Sequence, residues 1–171
     1  MNYANFALYG FVILFIINLY YFKLNLKQNN YIIFGSFLIT IGLFYATLEK
    51  YNSIKGKKAD QISKSHLILG GSQLLSFILP INNHSKKTDI FGIIGHFILI
   101  NTNFGYTEIA NICLTIYYSL YVYRNGVKEN IINKIQGLAG GLVLLYYIKK
   151  TIDNWYTKRE QKEQKLEDKH K

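Results

Sequence analysis

A chain of 171 residues, 50% hydrophobic and 16% aromatic, has apolar material for a sizeable core, but it is laid out unlike that of a soluble domain. Residues 2–22, 28–48, 65–85, 90–107, 109–123 and 135–148 contain no Asp, Glu, Lys or Arg, whereas nearly every helix of a soluble bundle needs a charged face, which excludes that class. The net charge of +10 comes largely from lysines in 50–64 and 149–171, beside the apolar stretches, where anionic lipid headgroups are the expected partner and nucleic acid is not.

The sequence predicts an all-α, polytopic transmembrane helix bundle of about six spans, with four or five as the nearest alternatives. Residues 1–150 form the multi-span membrane unit and 151–171 a solvent-exposed, mixed-charge tail. Mean hydropathy is only +0.07, because Tyr, Asn and the Lys-rich connectors offset the apolar stretches.

The first span, residues 4–22, lacks the basic start and small-residue cleavage site of a signal peptide and reads as a retained helix. Asn18 falls near its end, at a solvated interface. The second, 31–48, places Gly35 and Gly42 seven residues apart on one face, with Ser36 and Thr40 nearby. Small residues on one face let a neighbouring helix come close. Residues 49–64 read as a cytoplasm-facing loop against the headgroups, and Gly56-Lys57-Lys58 lacks the glycine pattern of a phosphate-binding loop.

The third span, 65–80, ends or bends at Pro80 and aligns His66, Gly70 and Gln73 at i, i+4, i+7. A polar turn from Asn82 to Lys87 leads to the fourth span, 89–103, which aligns Gly92, His96 and Asn103 and sets Asn101 toward another side. The fifth, 108–124, aligns Asn111, Thr115 and Tyr118. Its Tyr117, Tyr118, Tyr121 and Tyr123 suggest an aromatic belt at headgroup level. Gly126 is the expected C-cap. In the sixth span, 131–148, Gly137 and Gly141 form a GxxxG pair beside Gly140, a signal for close contact within the bundle or for a homo-oligomer. Trp155 and Tyr156 suit an interfacial anchor. An Arg159–Glu163 pair favours helix in the tail, which has no heptads for a coiled coil.

With six spans, Lys and Arg divide thirteen to six or seven. Lys50, Lys55, Lys57, Lys58, Lys64 and eight from Lys149 onward lie on the side of both termini. The positive-inside rule then places both termini in the cytoplasm.

The candidate polar cluster in the membrane is His66, Gln73, His96, Asn103, Asn111 and Thr115, with Asn101 beside it. Interhelical hydrogen bonding accounts for such residues at about 0.6 kcal/mol per contact. Two histidines could relay protons or hold a metal if carboxylates supported them, but Asp89 and Glu108 fall at opposite interfaces. Ser72 or Ser76 with a histidine supplies two parts of a hydrolytic triad and no third. Cys113, the only cysteine, reads as a small hydrophobe. No catalytic residue, cofactor or metal is therefore assigned. The expectation is a non-catalytic membrane protein with a structural, assembly or scaffolding role. The alternatives are a small transporter or channel subunit with a path lined by spans three to five and, behind it, a lipid-modifying enzyme.

Overall fold

The computed structural model describes residues 3–79, 86–101 and 105–167. It is all-helical: α1 (Tyr3–Asn25), α2 (Asn30–Ile54), α3 (Lys64–Ile78), α4 (Lys86–Leu99), α5 (Thr107–Gly126) and α6 (Ile131–Glu167). Local chemistry sets several boundaries. Asn29 caps α2 by accepting from the Ile32 amide at 3.0 Å, and Ser63 caps α3 by accepting from the His66 amide at 3.3 Å; both use the short polar side chains that helix starts favour. The left-handed glycine is Gly56 (φ 70°), just past α2. Gly126 was expected to cap α5, but it is the last helical residue and the cap is Val127.

α1, α2 and the 131–161 part of α6 are long and apolar enough to cross a membrane. α3 and α4 have 15 and 14 residues, about 21–23 Å at 1.5 Å per residue, against a hydrocarbon core of about 30 Å. The uniform set of six spans is therefore met only in its coarser form, six helices of which three are long and apolar enough to cross. α4 stops where it does because its end is drawn sideways: the Ser63 amide donates to the Ile100 carbonyl at 2.8 Å and Ile62 bridges to Asn101. Pro80 and the turn residues Asn82, Asn83, His84 and Ser85 lie outside the described residues.

Each helix packs on its neighbours in the chain, and α6 closes on α1. The six helices thus form a ring, with no helix backbone crossing it among the described residues. Glycines set the closeness of most seams. A Cβ on Gly10 of α1 would stand 2.6 Å from the Ala139 carbonyl oxygen of α6; one on Gly42 of α2 would stand 2.7 Å from Leu69 of α3; and one on Gly95 of α4 would stand 2.6 Å from Leu114 of α5.

Ring closure fills one half of the bundle and leaves the other half hollow. Ala7, Phe11 and Leu14 of α1 meet Leu43 and Ala46 of α2, Leu69, Leu114, Tyr118, and Ala139, Val143 and Tyr147 of α6. This core lies toward the basal end, where α2 finishes and α3 begins. Outside, the polarity is that of a membrane protein: Leu67, Leu74 and Ile78 of α3, Ile90, Ile94 and Phe97 of α4, and Ile109 and Ile112 of α5 are exposed, as are apolar residues of the three long helices. A soluble protein rarely shows so much contiguous apolar surface. The chain is therefore membrane-embedded, and should stay with the membrane pellet after alkaline carbonate washing. Release into the supernatant would contradict that assignment.

The 49–64 connector is shorter than expected. α2 continues through Glu49 and Lys50 to Ile54, leaving 55–63 as connector. At the other end of the chain α6 runs unbroken to Glu167. Lys158 pairs with Glu108 at the start of α5, and Arg159 Nε donates to Glu163 at 3.0 Å.

Candidate functional site

Hydroxyls in apolar helices are usually satisfied by the preceding turn, and most here are. Ser36 donates to the Ile33 carbonyl, Thr40 to Ser36, Thr47 to Leu43 and Ser72 to Leu69, at 2.8–3.0 Å. The side chains of α3 and α4 that carry unspent capacity sit on faces set by helical spacing. His66, Gly70 and Gln73 on α3 lie against His96 and Gly92 on the antiparallel α4. A Cβ on Gly70 would be 3.2 Å from His96 Cβ, and one on Gly92 would be 2.4 Å from Gln73 Oε1. Gly92 thus makes the slot in which the Gln73 amide lies.

His66 Nδ1 and His96 Nδ1 are 2.8 Å apart. One must donate and the other accept, so the pair is held by a single shared proton. His96 is 1% exposed, and its Nε2 has no hydrogen-bond partner; neither does Gln73 Oε1. Buried polar atoms without partners are uncommon and costly, and both belong to residues that line the hollow half of the ring.

That hollow is a chamber of about 620 Å³ with walls from all six helices, within the usual size range for small-molecule sites. Its deep part is apolar and aromatic, with Leu14, Ile39, Leu43 and Leu69 and the rings of Tyr117, Tyr118 and Tyr121. The mouth, at the end bearing the α1–α2 and α5–α6 connectors, is polar: Asn25, Gln28, Arg124, Lys128, Asn133 and Gln136. Below the chamber lies a gap of about 10 Å³, lined by Glu49, His66, His96 and Tyr147 among others. The packed core closes the chamber at its basal end, where His96 forms part of the floor.

The expected polar cluster divides. His66, Gln73 and His96 come together, whereas Thr115 faces the α5–α6 seam and Asn111 is buried on α5. Thr115 Oγ1 donates to the Asn111 carbonyl at 2.8 Å and lies 3.3 Å from Thr151 Oγ1 of α6. Asn103 lies outside the described residues. Asn18, read as an interfacial residue, instead lines the chamber and donates to the Leu14 carbonyl at 2.8 Å. The aromatic belt at the end of α5 is also redrawn. Tyr118 is buried and stacks on Tyr147 at 5.5 Å, Tyr117 and Tyr121 line the chamber, and Tyr123 alone of the four is exposed. Their 117, 118, 121 spacing is that of one helix face, a signal that an aromatic count conceals.

The small-residue positions also separate. Gly35 is buried in the chamber wall and Gly42 touches α3. A Cβ on Gly137 would meet α5 at 3.4 Å, whereas one on Gly141 would have nothing within 4 Å. The close contact in this region belongs to Gly140, where a Cβ would stand 2.7 Å from the Tyr121 ring.

Sequence reasoning missed Glu49. Its carboxylate turns back from α2 to accept from Ser63 Oγ at 2.8 Å, the Ser65 amide at 3.0 Å and Ser65 Oγ at 2.5 Å. A Ser-Lys-Ser helix start is legible as a cap, but nothing local says which acid returns to it. Among the described residues no three His, Cys, Asp or Glu side chains converge to hold a metal ion. No protein-family model, curated protein or solved structure matches the chain.

Proposed function

We propose that this chain is a membrane carrier that holds a small solute inside its helix ring, in preference to the scaffolding role expected from sequence. One observation carries the reading: a chamber of about 620 Å³ is walled by every helix and closed by the packed core at one end, and its lining includes Gln73 and His96, each with a buried polar atom that has no partner. A scaffold has no use for such a space. A channel would need it open at both ends, whereas a carrier needs a site reached from one side at a time. In this reading all six helices cross the membrane. α3 and α4 do so with local thinning or snorkelling, at modest cost for short helices, and the exposed apolar faces of α3–α5 supply the lipid contact. Charge distribution puts both termini and the basal end in the cytoplasm, and the mouth on the opposite side. The Lys-rich connector and the charged end of α6 then rest against anionic headgroups.

A thermal-shift screen of small solutes on detergent-purified protein tests the reading. A ligand at one hundred times its Kd stabilises by about 2.7 kcal/mol, so hits should raise the melting temperature of the wild-type protein. They should have no effect on Ser36→Trp, which fills the chamber from α2. Hits should then exchange across proteoliposome membranes in counterflow. If no compound distinguishes the two proteins, the carrier reading fails and the scaffolding role is favoured.

A further inference from the structure

We infer that the chamber selects an organic anion: a carboxylate or phosphate monoester on an apolar body that carries a hydroxyl at its far end. The inference rests on the carrier reading and assigns its ligand class. Among the described residues that line the chamber the formal charges are Arg124 and Lys128, with no Asp or Glu. Arg124 is half-buried, and no carboxylate pairs with either cation among the described residues. A guanidinium fork without a carboxylate at the rim of a low-dielectric cavity is built to take a planar oxyanion in two parallel hydrogen bonds. The amides of Asn25, Gln28, Asn133 and Gln136 can complete the shell of the same anion.

Deeper in, aliphatic side chains and three tyrosine rings accept an apolar body. The inner lining includes Gln73 and His96, whose Oε1 and Nε2 are buried and without partners. A small rotation of either side chain presents them to the ligand, Oε1 only as an acceptor and Nε2 as either according to tautomer. A hydroxyl serves both, because it donates and accepts. The path between anion and hydroxyl follows from the helix: Tyr117, whose ring lies 6.5 Å from that of His96, is seven residues from Arg124, about 10 Å along α5. This chemistry fits a hydroxylated single-chain lipid entering from the bilayer and equally a water-soluble phenolic acid.

Equilibrium dialysis of nanodisc-embedded protein, corrected for empty nanodiscs, tests the inference with four probes: 10-hydroxydecanoate, decanoate, 3-(4-hydroxyphenyl)propanoate and decyltrimethylammonium. At least one hydroxylated anion should bind saturably, and the ammonium probe should not. Tighter binding of 10-hydroxydecanoate would support the inference with a bilayer source, and tighter binding of the phenolic acid would support it with an aqueous one. Arg124→Gln combined with Lys128→Gln should weaken the bound anion about tenfold or more, the scale of two lost charge-assisted hydrogen bonds. Lys23→Gln with Lys27→Gln, at the same end of the bundle but outside the lining, should leave affinity within about twofold, since exposed charges contribute little. Decanoate should bind more weakly than 10-hydroxydecanoate, and Gln73→Leu should narrow that gap, with no need to disturb the histidine pair. Equal binding of ammonium and carboxylate probes, or an equal loss in both lysine and arginine–lysine variants, would overturn the anion assignment. So would the absence of saturable binding by any probe. If Ser36→Trp still abolished hits in the thermal screen, the chamber would stand and only its ligand class would fall.

Discussion

Leucine at Gly10 should destabilise the protein by about 3 kcal/mol, the upper part of the range for an overpacked interior. The obstacle there is backbone: a Cβ alone would stand 2.6 Å from the Ala139 carbonyl oxygen and 2.7 Å from Val143. A side-chain neighbour can rotate away, but a carbonyl inside α6 moves only if the helix moves. The α1–α6 seam must then open, and with it the ring. Gly141→Leu is the matched control, because its position on α6 faces open space and its effect should stay within about 0.5 kcal/mol. Gly140→Leu should fall between them, since its neighbour is the Tyr121 ring, which has somewhere to go. Melting temperature in detergent and elution volume report all three. Equal tolerance of leucine at 10 and 141 would mean that the helices are not in this register. A loss of oligomer confined to Gly141→Leu would instead reveal a contact between copies of the chain.

Alanine at Glu49 should cost a similar amount, about 3 kcal/mol, by another route. Three donors converge on that carboxylate, and Ser63 and Ser65 are both buried. Each buried donor left unpaired costs about 1–3 kcal/mol, and hydrogen bonds to a charged acceptor lie at the stronger end. Glu49→Gln keeps an acceptor oxygen and should recover roughly half of the loss, on the same accounting of charged against neutral acceptors. Since Glu49 anchors the start of α3, its loss should also release the 55–63 connector. Trypsin should then cut faster at Lys55, Lys57 and Lys58 in Glu49→Ala than in the wild type. Lys55→Ala is the comparison, because it alters the same connector without touching the anchor. If the two variants melt alike, the carboxylate is not holding α3.

The contrast between Glu49 and the histidine pair explains what could be read from residues alone. His66, Gly70 and Gln73, and Gly92 and His96, share helix faces by spacing, so their alignment follows from 3.6 residues per turn. Those two faces meet because α3 and α4 are consecutive and antiparallel. Glu49 is different: its partners come fourteen and sixteen residues later, through a connector whose path has no periodic signal. The tyrosines of α5 and the glycines of α6 failed in a third way. Residue type was informative, but the choice between facing lipid, a neighbouring helix or a cavity belongs to the ring. Whether a small residue near the middle of α6 is Gly140 against Tyr121 or Gly141 against nothing depends on helix rotation by one position, about 100°. The chamber itself was not legible, because it exists only once six helices surround a space that none of them fills.

Ring closure also has a consequence for synthesis. Five of the six seams join helices that follow one another in the chain, so each can form as soon as its second helix is made. The sixth joins the first helix to the last. Until residues from Ile131 onward emerge, Ala7, Gly10, Phe11 and Leu14 of α1 have no α6 to meet, and the other five helices form an open horseshoe. Its chamber lining, asparagines and arginine included, then faces whatever fills the gap. α6 acts as a clasp, and assembly waits for the final helix however quickly the earlier hairpins insert.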